Sequence, residues 1–461
     1  MAASVRRLWV GVDWGTHSSK WWYTAEAASG KQVQPNALPS VVDSTIYRSG
    51  DDLLVGRERA RIKRDLADAR LKRLLLKDPQ GASYWDAIRE GIGISLGDAA
   101  LLTLGCMLGD VASHVAAENL ELTPSTEVQL RFSLPNWIGS DSEHAAARKR
   151  IYQTTVICAG LIELVGWERL PMIGAKVNSS EWRNIVTRVR SMPDVQQVLG
   201  RCPNNFAEMV EGNHSIGGIS WRLVAESSAA GYIPLCQLLR EVPRGSKTQK
   251  HWVKLLVVDV GAGSTDAGYL VSSRRVDDSE LLMNYLPPAR TLDYAGEQLT
   301  EMLRDYYLRE HNRDLSVEEA ETMKLTASDK WNSQQFVTDW RERIAKSVAD
   351  YIFHVPDEAR LGEPAIGGLK IVLTGGSGLV PALDDAVRAA VIDSLGRRGV
   401  PGNVASRTEV VKLRPRIASD PIDAARRAVS TGSAQSDFAE LAYRESFVKA
   451  TRTVVAKKGW V

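Results

Sequence analysis

The chain has 461 residues, which is enough for two or more domains with sizeable cores. Its 58 Lys and Arg residues almost balance 56 Asp and Glu residues, so the formal net charge is +2. This balance argues against a dedicated nucleic-acid or membrane-surface binder. The four cysteines form no C-x-x-C pair, which argues against a zinc site and favours a reduced, cytoplasmic protein. We find no apolar run of transmembrane length and no room for a signal peptide before the first strand.

Strand-like and helix-like segments alternate along the chain, which predicts an α/β protein. In the first half, strands are predicted at residues 8–12, 20–24, 40–47, 53–55 and 128–134. Helices are predicted over most of 57–120 and at 142–164. In the second half, strand character returns at 255–270 and 369–373, and helices are predicted at 296–309, 317–324, 382–395 and 421–432.

Two glycine-broken segments, at residues 10–20 and 257–268, share one design. Each runs from an apolar stretch through an acid, Asp13 or Asp259, into small and hydroxyl residues, and then regains strand character. Glycine allows a hairpin turn to approach an anion closely, with backbone N–H groups pointing at it. The acid cannot bind a phosphate directly, so its expected task is to hold a cation or its waters. Two such segments in one chain predict a nucleotide clamped between two similar halves.

Further motifs follow these segments in a fixed order. They are Pro39-Ser40-Val41-Val42, Leu54-Val55-Gly56, Ser133-Leu134-Pro135, Ala159-Gly160-Leu161, Ala225-Glu226-Ser227-Ser228-Ala229-Ala230, Ala295-Gly296-Glu297, Glu321-x-x-Lys324 and Thr374-Gly375-Gly376-Ser377. No single motif is decisive. The ordered set, over about residues 8–435, resembles the actin-like ATPase superfamily, and within it the nucleotide-binding domain of the heat-shock-70 (DnaK-type) chaperones.

The resemblance implies an actin-like ATPase fold, which is a duplicated ribonuclease-H-like fold with two lobes around a nucleotide cleft. Lobe I would span 1–235, with a helical insertion at about 162–223. Lobe II would span 236–435 and carry the second phosphate loop and the adenosine loop. Apolar residues at roughly helical spacing predict an amphipathic helical tail at 436–461.

The resemblance also implies ATP or ADP with Mg²⁺ as the ligand, and it assigns the site residues. The phosphates would be held by Gly15, Thr16, His17, Gly261, Ala262, Gly263, Ser264 and Thr265. The adenosine would be contacted by Glu321, Lys324, Gly375, Gly376 and Ser377, and Gly296 and Glu297 would also bind the nucleotide. The hydrated Mg²⁺ would be held, mostly through water, by Asp13, Asp259 and Asp266. The catalytic set would be Asp13, Glu226, Asp259 and Ser264, with Glu226 or Asp259 polarising the attacking water.

Simpler interpretations of these residues stay open. Asp13 could cap a turn, and Glu226 could be a helix-start carboxylate favoured by the helix dipole. Glu321 and Lys324 could form a solvent-exposed ion pair on a helix. His17 could be a tolerated replacement of the family's threonine rather than a catalytic group.

One departure from the family pattern concerns hydrolysis. The family has a lysine four residues after the glycine of the second strand pair, where it would contact the γ-phosphate, but Ala60 stands at that place. Arg59 or Arg61 could substitute, although a planar guanidinium is not equivalent to a compact ammonium. Slow or altered hydrolysis is therefore expected.

The second departure is the insertion at 162–223. Within it, Trp182, Ile185 and Val189 are predicted to share one face of a short helix. An insertion of this size is either a site for a partner protein or a helical elaboration without a partner. The third departure is that residues 433–461 do not suffice for the family's peptide-binding β-sandwich and lid, so no peptide-binding domain is expected.

The leading hypothesis is a heat-shock-70-like ATP-binding protein, a slow Mg-dependent ATPase that acts as a nucleotide-dependent switch for a partner protein. The first alternative is a sugar or polyol kinase of the same superfamily, for which no matching base segment is evident. The others are a filament-forming actin-like scaffold and a pseudo-ATPase that binds nucleotide without hydrolysing it.

Overall fold

The computed structural model describes residues 2–15, 18–39, 41–43, 46–55, 67–68, 83–136, 142–241, 251–274, 280–286, 291–292, 294–325, 330–411, 421–435 and 442–445. It is a mixed α/β structure whose residues group into two compact units. The first unit comprises Met1–Ala225 with Ser433–Ser436, and the second comprises Glu226–Gly432 with Asp437–Val461. The division before Glu226 falls earlier than the predicted lobe boundary at 235, because the helix that starts at Glu226 packs on strands of the second unit.

The strands of the first unit are β1 (Ala3–Asp13), β2 (Ser18–Ala27), β3 (Gln32–Val33), β4 (Val42–Asp43), β5 (Ile46–Ser49), β6 (Asp52–Val55), β7 (Ala67–Asp68), β8 (Leu120–Glu121), β9 (Glu127–Leu134), β10 (Val177–Asn178), β11 (His214–Ile216) and β12 (Ile219–Ala225). Its helices are α1 (Ser83–Asp86), α2 (Leu96–Ala117), α3 (Ser142–Val165), α4 (Leu170–Ala175), α5 (Ser179–Arg190), α6 (Pro193–Leu199) and α7 (Phe206–Glu211). The main sheet has the order β11-β12-β9-β1-β2-β3, and a smaller sheet has the order β10-β6-β5-β7.

The core of the first unit includes the apolar helix α2. It begins with a capping box, in which the Asp98 amide donates to the Ser95 hydroxyl (3.1 Å) and the Ser95 amide donates to the Asp98 carboxylate (3.4 Å). Among the described residues, α2 has the length and hydropathy of a membrane span, which corrects the expectation that no apolar run is that long. Because 78% of its most apolar window is buried within the protein, the observation favours a core helix.

The strands of the second unit are β13 (His251–Val260), β14 (Thr265–Arg274), β15 (Glu280–Leu286), β16 (Leu369–Thr374), β17 (Glu409–Val410) and β18 (Ala442–Glu445), in the sheet order β17-β16-β13-β14-β15-β18. Its helices are α8 (Glu226–Glu241), α9 (Gly296–His311), α10 (Val317–Met323), α11 (Gln335–His354), α12 (Leu383–Arg397), α13 (Gly402–Ala405) and α14 (Pro421–Ser433). Short 3₁₀ turns lie at Lys330–Ser333 and Asp357–Ala359. The apolar run in β13 has both faces buried, as is typical of a central strand.

Within the described residues, the two units repeat one strand order. In the first, β1 pairs antiparallel with β2, β2 pairs antiparallel with β3, and the parallel strands β9 and β12 follow on the other side of β1. In the second, β13, β14 and β15 form the antiparallel part, and β16 and β17 follow β13 in parallel. In each unit an acid, Asp13 or Asp259, lies at the end of the first strand of the hairpin. The two glycine segments therefore occupy equivalent places in the two units.

The structure corrects several predicted elements. Within the single strand expected at 40–47, the described residues belong to two strands in different sheets, because β4 pairs with β2 and β5 pairs with β6. Within the region predicted as mostly helical, Ala67–Asp68 forms a strand that pairs with β5, and the neighbouring residues 56–66 and 69–82 lie outside the described part. The predicted helical tail is wrong at Ala442–Glu445, which pairs in parallel with β15. Strand pairing over such sequence distances leaves no local periodicity to detect.

The segment predicted as a helical insertion, at about 162–223, contains strands as well as helices. Residues 219–223 belong to β12, which pairs in parallel with β9 in the main sheet. The strands β10 and β11 also lie within the predicted helical region. On α5, the buried face is formed by Trp182, Val186 and Val189, whereas Ile185, which was predicted to share the face of Trp182 and Val189, is only half-buried.

Candidate functional site

Backbone hydrogen bonds fix the conformation of the turn of the β13–β14 hairpin. Gly261 donates its amide to the Ser264 carbonyl (3.0 Å), and residues 261–264 are half-buried. The amides of Gly296 and Glu297 donate to the carbonyls of Gly261 (3.0 Å) and Ala262 (2.8 Å). The first N–H groups of α9 are therefore used to hold the turn, and the accessible backbone of the turn is the part that can meet an anion.

Asp259 and Asp266 face each other across the hairpin. The buried Asp266 accepts hydrogen bonds from the Ser264 hydroxyl (3.2 Å) and the Thr291 hydroxyl (2.8 Å). Asp259 is also buried, and it accepts a hydrogen bond from the Thr374 hydroxyl (3.0 Å). Both carboxylates thus hold neighbouring loops of this site in place through hydrogen bonds with hydroxyl groups.

The predicted contacts of Asp13, Asp259 and Asp266 with Mg²⁺ run mostly through water. In the described part of the chain, no group of three or more His, Cys, Asp or Glu side chains could hold a metal ion directly. The hydroxyl contacts of Asp266 fit a loop-shaping role better than direct coordination. The predicted hydrated Mg²⁺ held by Asp13, Asp259 and Asp266 stays a prediction.

The loop after β16 requires its glycines. Gly375 has φ +79°, in the left-handed region, and a Cβ at this residue would overlap with the Val260 carbonyl. Its amide donates to the Ala425 carbonyl (3.0 Å), and the Ser377 amide donates to the Val260 carbonyl (3.0 Å). The predicted adenosine loop is thereby fixed against the end of β13, next to Asp259.

Lys324 is the centre of a buried polar cluster that joins three separate segments. Its ammonium donates to Glu321 Oε1 (2.7 Å), the Gly296 carbonyl (3.0 Å) and the Ser377 hydroxyl (3.3 Å). The side chain of Lys324 has 0% exposure and that of Glu321 has 27%. Burial lowers the pKa of Lys324, and the Glu321 carboxylate opposes this effect.

The interpretation of Glu321 and Lys324 as a solvent-exposed ion pair is wrong for Lys324. Its ammonium is buried, and its hydrogen bonds connect the adenosine loop to the start of α9. The ion pair itself is present at the predicted i,i+3 spacing. A Cβ at Gly296 would overlap with the Ser377 hydroxyl, so a glycine is needed where the two segments meet.

Glu226 is the first residue of α8 and is buried. The first turn of α8 packs closely on β14, since a Cβ at Gly268 would overlap with the Ser227 side chain. A buried carboxylate at a helix N-terminus is stabilised by the helix dipole. Its position is compatible with both the catalytic and the dipole interpretation.

In the first unit, the acid of the hairpin has a partner that sequence reasoning missed. Lys20 Nζ lies 3.3 Å from Asp13 Oδ2, and the Ser133 hydroxyl donates to Asp13 Oδ1 (3.5 Å). Asp13 and Lys20 are opposite each other in the β1–β2 register. In the sequence, two features could have indicated this pair: the alternating side-chain pattern of β2 and the basic residue near the start of that strand.

Several predicted residues of the first unit cannot be placed. Gly15 is half-buried at the turn of the β1–β2 hairpin. Thr16 and His17 lie outside the described residues, as do Ala60 and its arginine neighbours. Their assignments stay predictions.

Comparison with models of known protein families gives no match, and a search of curated proteins finds no similar sequence. Function is therefore inferred from the residues of this chain. In the second unit, a half-buried backbone turn, two buried acids and a glycine loop tied to a buried lysine lie on connected segments. Such a set can surround a polar, anionic ligand: backbone amides meet negative charge, and the carboxylates meet a cation or polarise a water.

Proposed function

We propose that this chain is an actin-like, heat-shock-70-like ATP-binding protein of the cytoplasm, and a slow Mg-dependent ATPase that switches a partner protein. The observation that carries the proposal is the convergence around Lys324. This residue joins Gly296, Glu321 and Ser377, three residues assigned to the nucleotide site from separate motifs. Segments from three separate parts of the chain thus meet at one ammonium.

The repeated strand order supports the proposed duplicated fold. Each unit presents a hairpin with an acid at the end of its first strand, Asp13 or Asp259, and a parallel strand beside it. Each hairpin turn can offer backbone amides to a phosphate.

In the proposed reaction the protein positions groups and balances charge. The turn at 261–264 would bind the phosphate chain through amides and the Ser264 hydroxyl, and Glu226 or Asp259 would orient and deprotonate the water that attacks the γ-phosphoryl. Bound Mg²⁺ would neutralise phosphate charge. Lys20, which lies 3.3 Å from Asp13, would place a positive charge near the first phosphate loop.

Phosphate release from Mg·ATP by the full chain tests the enzymatic part. We expect slow turnover in the wild type, and at least a hundredfold lower turnover in Asp259→Asn, since pre-organised electrostatic groups typically contribute this much. Asp305→Asn, at an exposed position on α9, is the matched control and should turn over ATP like the wild type.

The alternatives give different results in the same assay series. ATP binding without phosphate release would indicate a pseudo-ATPase, and turnover that depends on an added sugar or polyol would indicate a kinase. ATP-dependent sedimentation would indicate a filament. For the switch, partners captured by Asp259→Asn in ATP and in ADP should differ, and identical sets would contradict it.

A further inference from the structure

Three residues of neighbouring strands form a row on one face of the second sheet. Thr374 on β16 pairs in register with Asp259 on β13, and Asp259 pairs in register with Asp266 on β14. Side chains at paired positions of adjacent strands lie on the same face of a sheet. All three residues are buried, so the row places one hydroxyl beside two neighbouring acids in the second unit.

The two acids of this row need hydrogen-bond donors. Like charges directly opposite each other on adjacent strands are destabilising, and a buried carboxylate is costly unless donors satisfy it. A hydroxyl donates to each acid: Thr374 to Asp259 Oδ1 (3.0 Å) and Thr291 to Asp266 Oδ1 (2.8 Å). Because β13 lies between β16 and β14, the Thr374 hydroxyl binds Asp259 from the side away from Asp266.

The Thr374 hydroxyl also limits how the Asp259 carboxylate can rotate. The terminal torsion of an aspartate is broad, so the rotamer alone does not fix the direction of the two oxygens. Asp259 Oδ1 accepts the hydrogen bond from Thr374 and lies 2.5 Å from the point where a Cβ on Gly375 would stand. Oδ1 is thus held against the loop after β16. Because a carboxylate is planar, Oδ2 is directed away from Thr374.

We propose that Thr374 is a positioning residue for ATP hydrolysis, which rests on the proposed function. Its hydroxyl holds the Asp259 carboxylate in the orientation that the role of this acid in the reaction requires. A valine has nearly the same shape but no donor, so it could not hold the carboxylate in this way. The glycine-loop motif assigned nucleotide contacts only from Gly375 onward and gave Thr374 no role. Only the hydrogen bond in the fold identifies it.

The test is phosphate release from Mg·ATP by the full chain. Thr374→Val should lower kcat at least about tenfold, as expected for a lost hydrogen bond to a charged group. The KM should stay within about twofold, because the turn at 261–264 is unchanged. Thr374→Ser keeps the donor and should restore most of the wild-type kcat. Thr103→Val, which loses a buried hydroxyl bonded to the Ala99 carbonyl on α2, is the matched control and should turn over ATP like the wild type.

A double variant separates positioning from a general loss of structure. If Thr374 acts through Asp259, adding Thr374→Val to Asp259→Asn should lower single-turnover hydrolysis no further, whereas an independent structural effect would add to the first loss. Thr374→Ala also lacks the donor, and it takes the place of the valine variant in the same measurements if that protein does not fold.

Three outcomes would overturn the inference alone. They are an equal kcat in the wild type and Thr374→Val, a kcat of Thr374→Ser as low as that of Thr374→Val, and a further loss in the double variant. Each of them leaves ATP turnover by the wild type intact, and with it the proposed function. Absence of turnover in the wild type would instead contradict the proposed function, and the inference would fall with it.

Discussion

Two lysines of the second unit show how single buried charges organise loops. The ammonium of Lys324 joins the adenosine loop to α9. The ammonium of Lys254, on β13, donates to the backbone carbonyls of Arg360, Leu361 and Glu363. A buried ammonium is tolerated only when acceptors surround it, and each lysine meets this condition.

Lys254 predicts a pH dependence of stability. Burial lowers its pKa to about 8, from the ordinary value of 10.5, although the Glu363 carboxylate raises it. Between these values the unfolded chain binds a proton that the folded protein has released. The free energy of unfolding should therefore rise as the pH increases from about 8 to 10.5, by at most about 1.4 kcal/mol per pH unit, and this contribution should level off below about pH 8, where the lysine is protonated in both states.

Urea unfolding at pH 7, 8, 9 and 10 measures this effect against Lys254→Met. The methionine variant keeps an unbranched side chain but removes the titrating group. The difference between wild type and variant should change with pH over this range. A constant difference would contradict the assignment.

Ala382 predicts a stabilising substitution. It caps the N-terminus of α12 with φ 59°, in the left-handed region that side chains rarely adopt. Ala382→Gly should raise the free energy of unfolding by about 1 kcal/mol, because glycine carries no steric cost there. Ala389→Gly, at an exposed position inside α12, should lower it by about 0.5–1 kcal/mol. Thermal unfolding of both variants checks the sign, and a loss of stability in Ala382→Gly would contradict the strain.

At the scale of elements, α14 crosses α8 at a glycine. A Cβ at Gly432 would overlap with the carbonyl of Ala229, so the two helix backbones are nearly in contact. Gly432→Ala should therefore destabilise the protein by about 1–3 kcal/mol through overpacking, even though alanine is the better helix former.

Gly396→Ala provides the matched control for this crossing. Gly396 lies in α12 with no atom within 4 Å of its Cβ position, so this change should stabilise by about 0.5–1 kcal/mol. Chemical unfolding of the two variants gives the comparison. Equal effects of the two substitutions would mean that the helices do not approach closely at Gly432.

The elements with strong local patterns could be predicted from the sequence. The strand at Glu127–Leu134 and the helix at Ser142–Val165 match their predicted bounds within a residue. The strands Ala67–Asp68 and Ala442–Glu445 could not be predicted, because their only support is pairing with distant strands. For the same reason, the strand β12 was not predicted within the segment interpreted as a helical insertion.

In the candidate site, too, some residues could be predicted from the sequence and others could not. Asp259, Gly296, Lys324 and Gly375 stand in recognisable local motifs and were named from the sequence. Lys20 and Thr291 were not predicted as partners of these acids, and Thr374 was predicted only as part of the glycine-loop motif, since each reaches its acid through strand pairing or a side-chain hydrogen bond formed only in the fold. Local sequence identifies the glycines and acids of a loop, while the contacts that orient them are tertiary.

At the scale of the whole molecule, the repeated strand order and the two acid-led hairpins form the basis for the proposed nucleotide switch. The claim on which it depends is that the Gly375–Gly376 loop borders an ATP site. Gly376 is the residue best suited to test this, because the nearest atom to its Cβ position is Arg426 Nε at 3.9 Å. A side chain at position 376 is therefore compatible with the fold but occupies the space next to the loop.

The most direct measurement is calorimetric binding of Mg·ATP to the full-length wild type, Gly376→Val and the control Gly396→Ala. We predict saturable binding of one ATP per chain to the wild type and to the control, and a loss of at least tenfold in affinity in Gly376→Val with an unchanged melting temperature. Absence of ATP binding in the wild type, or equal affinity in all three proteins, would contradict the account.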